Sequence, residues 1–334
     1  MNELSPTLSA PDYADVLAAA TRLAGKAVRT PLLEAPLLNA KLNARLLVKP
    51  ECLQRTGSFK YRGALNRLSL IPEADRAKGV LAYSSGNHAQ GVAYAASQLG
   101  IKASIIMPKD APEMKIGNTR AYGAEVILYD RYSENREEIG QRVAAETGAT
   151  LVRPYDDPGV IAGQGTIGLE IAEQAAEIGA KLDAVIVCCG GGGLVSGVAL
   201  ALHGAAPGVA VYSAEPENFD DMARSLASGK HESNDPAARS ICDAIVTPTP
   251  GQITFGICKS LLAGGLAVSD EEALDAMAAA FRYLKIVVEP GGAVALAAAL
   301  SGKLDIEGKT IAVVCSGGNA DTEMFARALS RQSD

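Results

Sequence analysis

Short apolar runs alternate along this chain with longer stretches of helical period. Val80-Leu-Ala-Tyr83 precedes an amphipathic stretch from Asn87 to Leu99, Ala103-Ser-Ile-Ile-Met107 one from Pro112 to Tyr122, and Val126-Ile-Leu-Tyr129 one from Glu134 to Glu146. Each pair reads as a strand followed by a helix. The pattern resumes after Ala162 with a long Ala/Ile/Glu helix, then Ala184-Val-Ile-Val-Cys-Cys189, a glycine turn, a helix from Leu194 to His203 and a strand Val209-Ala-Val-Tyr-Ser213. Near the end, Ile286-Val-Val288 predicts a strand, Gly292 to Leu300 a helix, and Thr310-Ile-Ala-Val-Val-Cys315 a strand before a last helix. Such alternation defines the α/β class, with doubly wound parallel sheets covered by helices on both faces. Ligands of these sheets sit beyond the carboxyl ends of the strands.

Turn residues in Arg153-Pro-Tyr-Asp-Asp-Pro-Gly159 break the periodicity and suggest a boundary. Residues 79–152 are then a smaller unit, and 1–78 with 153–334 a larger one. The stretch from Lys230 to Pro250, rich in Ser, Asp, Pro and Thr, predicts irregular surface.

Composition narrows the partners. With 334 residues, 48% of them hydrophobic, the chain can bury a large core in two domains. A formal charge of -7 without a basic run argues against nucleic acid or an anionic membrane surface and for a small-molecule ligand. Met1 to Ala18 lack a basic start and an apolar run, and no other segment approaches a membrane span, so cytoplasm is the default expectation. The six cysteines show no metal-finger spacing; Cys188 and Cys189 should pack on opposite faces of a strand, and His88, His203 and His231 are scattered.

Candidate chemistry begins at Lys60. Gly57 reads as a turn and Ser58 as an N-cap, which places Lys60 in a first helical turn, where the helix dipole disfavours a second positive charge. Such an amine suits condensation with a carbonyl; the competing reading is a solvated surface lysine. Gly190-Gly-Gly-Gly193 after an apolar strand can turn its amides toward a phosphate, unless it is an ordinary glycine turn. The dinucleotide fingerprint fails at Val195 and Ser196, and no P-loop Lys-Ser/Thr follows either candidate loop, so one phosphate fits better than NAD or ATP. Ser84-Ser-Gly-Asn-His-Ala-Gln-Gly91 sets polar groups at a strand end, with Ser85 or Asn87 as an alternative N-cap. Cys315-Ser-Gly-Gly-Asn319 and Glu289-Pro-Gly-Gly292 add two more such loops.

In their order and spacing, Ser58-Phe-Lys60-Tyr-Arg-Gly63, Ser84 to His88, the tetraglycine and Ser316-Gly-Gly-Asn319 resemble the serine/threonine dehydratase and serine racemase family of fold-type II pyridoxal-phosphate enzymes. The resemblance runs from about Ala27 to Asn319 and implies a tryptophan-synthase-β-like architecture. It implies that Lys60 forms the internal aldimine and later acts as acid and base at the substrate α-carbon. Phe59 would pack near the cofactor ring, Asn87 would bond its 3-hydroxyl, Gly190, Gly191, Gly192 and Gly193 would hold its phosphate, and Ser316 would face the pyridine nitrogen. Ser85 would lie across the ring from Lys60, and Ser84, Ser85, Gly86, Asn87 and His88 would receive the substrate carboxylate.

Glu215, the carbonyl of Phe219 and Asp221 resemble the segment that binds Mg2+ or Ca2+ in metal-activated members; the alternative is an acidic helix start. Biosynthetic threonine dehydratases add a regulatory domain, and the chain ending at Asp334 carries no expectation of feedback by isoleucine. The activity implied is β-elimination of a 3-hydroxy amino acid, L-threonine or L-serine, to a 2-oxo acid and ammonia, by a homodimer. Alternatives are a serine or aspartate-type racemase, and a dehydratase for 3-hydroxyaspartate or a hydroxyectoine-derived hydroxy-diaminobutyrate. Arg131 and Arg136 read as solvated charges at a helix start, the alternative being that one of them reaches a second substrate carboxylate, as in 3-hydroxyaspartate; Tyr83 and Tyr155 are further candidate pocket residues.

Overall fold

The computed structural model describes residues 9–111 and 113–331. Ten strands form two sheets among them. The larger has the order β1 (Leu33–Glu34), β2 (Arg45–Pro50), β10 (Thr310–Cys315), β7 (Ala184–Cys188), β8 (Ala210–Pro216) and β9 (Gly264–Val268). The smaller has the order β5 (Glu125–Tyr129), β4 (Ala103–Pro108), β3 (Val80–Tyr83) and β6 (Thr150–Leu151), all parallel. The larger sheet is parallel except at its edge, where β1 runs against β2.

The central strands are apolar at consecutive positions because both faces are covered. On β7, Ala184, Ile186 and Cys188 enter one core while Val185, Val187 and the following Cys189 enter the other. Neither thiol is poised for reaction, since burial pushes both pKa values up. Fully burying one such valine or isoleucine side chain contributes about 1.5–3 kcal/mol.

The structure departs from the sequence pattern at three places. Ile286 and Val288 are buried and Val287 is exposed, the alternation of an extended segment, but no strand pairs with them. Pro158 and Gly159 open a helix, Pro158–Glu177, rather than extending a loop, with Asp157 accepting from Val160 N as its cap. The edge strand β9 and the helix Asp270–Ala279 have no counterpart in the expected pattern. Residues 230–250 contain no helix or strand, as predicted. The helix after β4 is Glu113–Ala121, and Pro112 lies outside the described residues, as do residues 1–8 of the amino-terminal segment. No helix among the described residues is long and apolar enough to cross a membrane.

Helix packing sets the positions of two chain segments at the crevice. The lysine helix, Lys60–Ser69, shares a core with the smaller sheet through Tyr61, Ala64, Leu65 and Leu68. Its other side crosses Pro158–Glu177, where a Cβ on Gly163 would lie 2.7 Å from the Gly63 Cα. That long helix crosses the cradle helix, Gly193–Ala205, equally closely: a Cβ on Gly165 would lie 2.8 Å from Gly197 O. Glycines at both crossings let one helix set the spacing between Lys60 and the tetraglycine.

Candidate active site

The carboxyl ends of β2, β10, β7 and β3 bring the singled-out loops to one crevice. Lys60 is the first residue of its helix, but the N-cap is Phe59 and offers no side-chain bond. Ser58 is extended (φ -161°, ψ 158°) and pairs with Gly317 in an isolated bridge, so it does not cap. Gly57 has φ +72°, the left-handed turn expected of it.

The Lys60 Nζ donates to Pro154 O at 2.9 Å and lies 5.1 Å from the centroid of the Phe59 ring. The side chain keeps some surface toward the crevice while its amine is enclosed, and burial lowers its pKa to about 8. Desolvation, opposed by the Glu289 charge, is therefore the main cause of a shift that the sequence alone suggests through the helix dipole.

Behind the lysine helix lies a buried quartet of charges. Arg62 makes two 2.8 Å bonds to Glu51 and further bonds to Glu170, and the Lys49 Nζ reaches Glu170 at 2.6 Å. Glu51 also accepts from Thr30 Oγ1 at 2.7 Å. Bidentate pairing of this kind fixes orientation as well as charge, and it anchors the helix two residues beyond Lys60.

On the β3 loop, Gly86 is the N-cap of Asn87–Leu99, in place of Ser85 or Asn87. A Cβ on Gly86 would meet nothing within 4 Å, so this turn faces open space. Ser84 Oγ accepts from Gly86 N, and Ser85 is half-buried. His88 points the other way. It is buried, its Nε2 lies 3.0 Å from Val152 O, and burial followed by the Lys60 charge lowers its pKa to about 3. A neutral ring donating to that carbonyl is a structural strut, so His88 has only its backbone to offer a substrate.

Asn87 is clamped at both ends of its amide. Its Nδ2 donates to Glu289 Oε1 at 2.5 Å, and its Oδ1 accepts from Asn319 Nδ2 at 2.7 Å. Glu289 is buried and its pKa rises to about 7. A Cβ on Gly317 would sit 2.0 Å from Glu289 Oε1, so glycine is needed there. In the sequence alone, Glu289 stands out only as a strand-end carboxylate.

The tetraglycine follows β7. Gly192 has φ +92°, and a Cβ on Gly191 would come within 2.4 Å of the Tyr155 ring. Ser316, beyond β10, is buried; its carbonyl accepts from Phe59 N and its amide donates to Gly292 O. Ser58 Oγ and Thr56 Oγ1 are buried without a hydrogen-bond partner. A cradle without side chains, an enclosed amine of lowered pKa and orphaned hydroxyls beside it fit a phosphorylated carbonyl compound such as pyridoxal 5'-phosphate.

Glu215 and Asp221 lie farther along, at the end of β8. Glu215 is fully buried and accepts from Met222 N and Ala223 N, capping the helix Asp221–Ser228. Asp221 Oδ1 accepts from Asn234 Nδ2 at 2.6 Å, while its buried Oδ2 has no partner. Burial pushes both carboxyls up, Asp221 to about 6, and Asp221 adds to the rise at Glu215. An unpartnered oxygen beside a second buried carboxylate fits a hard cation, although no group of three or more His, Cys, Asp or Glu among the described residues is arranged to hold a metal.

Two parallel sheets with a lysine, a glycine cradle and a serine at their strand ends define the class. Residues 24–317 match the family described as "Pyridoxal-phosphate dependent enzyme", and the chain belongs to it. Within it, the chain groups with the serine/threonine dehydratases and serine racemases. It is 44% identical to the serine racemase of Schizosaccharomyces pombe, over 98% of this chain and 100% of that one. It is 43% identical to the L-threo-3-hydroxyaspartate ammonia-lyase of Saccharomyces cerevisiae, over 97% and 98%. The crystal structure of a threonine deaminase from T.th. superposes with a TM-score of 0.88 at 46% identity, covering 93% of this chain and 99% of that one.

Proposed function

We propose that this protein eliminates water from a 3-hydroxy amino acid, L-threonine or L-serine, and releases a 2-oxo acid and ammonia. The enclosed Lys60 amine carries the reading, because it shares a crevice with a phosphate cradle and an open polar loop. When bound, the cofactor supplies the electron sink for carbanion chemistry. Lys60 holds it and takes the substrate α-proton, a role that contributes about 10²- to 10⁴-fold. Gly190 to Gly193 hold the phosphate, Phe59 covers the ring, Asn87 bonds the 3-hydroxyl, and Ser316 faces the ring nitrogen. The carboxylate docks on Ser84 to His88. A neutral serine at the ring nitrogen does not enforce protonation, which favours loss of a β-leaving group over transamination. The hydroxyl leaves as water with the proton that Lys60 took from the α-carbon, and hydrolysis of the released enamine gives the 2-oxo acid and ammonia.

Glu215, the Phe219 carbonyl and Asp221 hold Mg2+ or Ca2+ in this reading, supported by the orphaned Asp221 Oδ2. Residues 79–152 act as the smaller unit, supported by the position of β3 to β6, and the protein works as a homodimer in the cytoplasm.

One observation favours a dicarboxylate as substrate. Arg131 pairs with Asp110, whereas the exposed Arg136 has no hydrogen bond or ion pair among the described residues. Arg136 would then bind the second carboxylate of 3-hydroxyaspartate. A panel of L-serine, L-threonine and L-threo-3-hydroxyaspartate, assayed for 2-oxo acid with and without Mg2+, tests both readings. Silence on all three with cofactor bound would remove the proposed reaction. An Arg136→Ala variant that kept its KM for the dicarboxylate would remove the second reading.

A further inference from the structure

Between β6 and the helix Pro158–Glu177 the chain runs as a strap that touches the crevice at three places. Val152 O receives the His88 ring, Pro154 O receives the Lys60 amine, and the Tyr155 ring lies against Gly191. Asp157 caps its own helix and pairs with Arg67 of the lysine helix at 2.8 Å. One residue of the strap acts at longer range.

Asp156 caps a helix that begins 96 residues away. Its Oδ2 accepts from Gln252 N at 3.1 Å, and its Oδ1 accepts from Ile253 N at 2.9 Å and Thr254 N at 3.2 Å. These are the first three residues of the helix Gln252–Leu261, whose own N-cap, Gly251, has no side chain to offer. A Cβ on Gly251 would lie 2.3 Å from Asp156 Oδ1, so the carboxylate occupies the space a side chain would fill. Three orphan amides and the positive end of the helix are thereby satisfied at once.

That helix start in turn holds the cradle. Thr254 Oγ1 donates to Gly191 O at 2.7 Å, and Gly251 N donates to the same oxygen at 3.2 Å. In a planar trans peptide the N–H points opposite to the carbonyl. Tying Gly191 O to the helix start therefore aims the Gly192 N–H away from it. Tyr155 closes the other side, since a Cβ on Gly193 would lie 2.9 Å from its Cα.

We infer that Asp156 is a positioning residue for the cofactor phosphate, acting through the start of Gln252–Leu261 on the Gly191 carbonyl and so on the cradle amides. The inference rests on the reading of Gly190 to Gly193 as the phosphate site. It links the strap from the smaller sheet to cofactor affinity, a role separate from proton transfer at Lys60.

The test titrates apo protein with pyridoxal 5'-phosphate, followed by cofactor absorbance, with inorganic phosphate as competitor and the thermal midpoint measured alongside. Asp156→Ala is expected to weaken cofactor binding by about 5- to 10-fold, the loss of one helix cap expressed as affinity, and to weaken competition by phosphate. Asp156→Asn keeps an oxygen acceptor and is expected to restore most of that loss. Ser269→Ala, which removes the cap of the helix Asp270–Ala279 outside the crevice loops, should lower the midpoint and leave cofactor affinity unchanged. Equal affinity for Asp156→Ala and wild type would overturn the inference, as would equal weakening by Ser269→Ala. If the wild type took up no cofactor, the phosphate-site reading itself would fail, and the inference with it.

Discussion

The Lys60 amine and the Pro154 carbonyl oxygen stand 2.9 Å apart, joining the first residue of the lysine helix to the strap that leaves the smaller sheet. The carbonyl accepts a hydrogen bond without supplying a counter-charge, so the amine is held where it is needed and burial keeps its charged form disfavoured. Glu289 is the carboxylate that partly offsets this burial.

Covalent capture of pyridoxal 5'-phosphate should therefore depend on a group of pKa about 8. Capture by apo protein is expected to rise through that pH and then level, where a solvated lysine would continue toward about 10.4. Borohydride reduction followed by peptide mass spectrometry should place the adduct on Lys60. Lys60→Ala should lose the adduct and at least about 10²- to 10⁴-fold of 2-oxo acid formation. An adduct on another lysine would end the assignment.

Glu289 gives a stability prediction of defined sign. Its folded pKa is about 7, above the ordinary 4.5, so between those values the folded chain holds a proton that the unfolded chain releases. The unfolded state binds fewer protons there, and stability falls as pH rises through the window. Apo wild type should lose thermal stability relative to Glu289→Gln between pH 5 and pH 7. A difference that stayed flat across that range would mean Glu289 titrates normally.

Ser85 separates elimination from racemisation. If it lies across the cofactor from Lys60, Ser85→Ala should abolish D-serine formation from L-serine while 2-oxo acid formation falls much less than in Lys60→Ala. Parallel loss of both products would deny Ser85 a role confined to one face.

Arg62 should matter for folding more than its position suggests. Arg62→Ala leaves Glu51 buried with its principal partner gone, which costs about 3–5 kcal/mol. Urea unfolding would measure it, and adding Glu51→Gln should recover part of the loss. A change below about 1 kcal/mol in the single variant would show that the quartet relaxes freely.

Much of the fold was legible because its signals are local. The bounds of β3 and β10 and of the helix Asn87–Leu99 coincide with the apolar periodicity, since side chains repeat every two residues in a strand and every 3.6 in a helix. Strand β9 was not legible: its Gly264-Gly265 start carries little strand signal, and it is a strand because it pairs with β8. Ile286 to Val288 failed in the opposite sense, with strand periodicity but no neighbour to complete a ladder.

The site divides in the same way. By itself the sequence determined the α/β class, the strand-end loops and the lysine, serine and glycine groups that resemble a pyridoxal-phosphate site, because periodicity and motif spacing are properties of neighbouring residues. Only the tertiary structure decided that burial lowers the Lys60 pKa, that the His88 ring is spent on Val152, that Glu289 and Asn319 clamp Asn87, and that Asp156 caps a helix 96 residues on. Desolvation and hydrogen bonding depend on what surrounds a group in space, and those surroundings exist only once distant segments have packed.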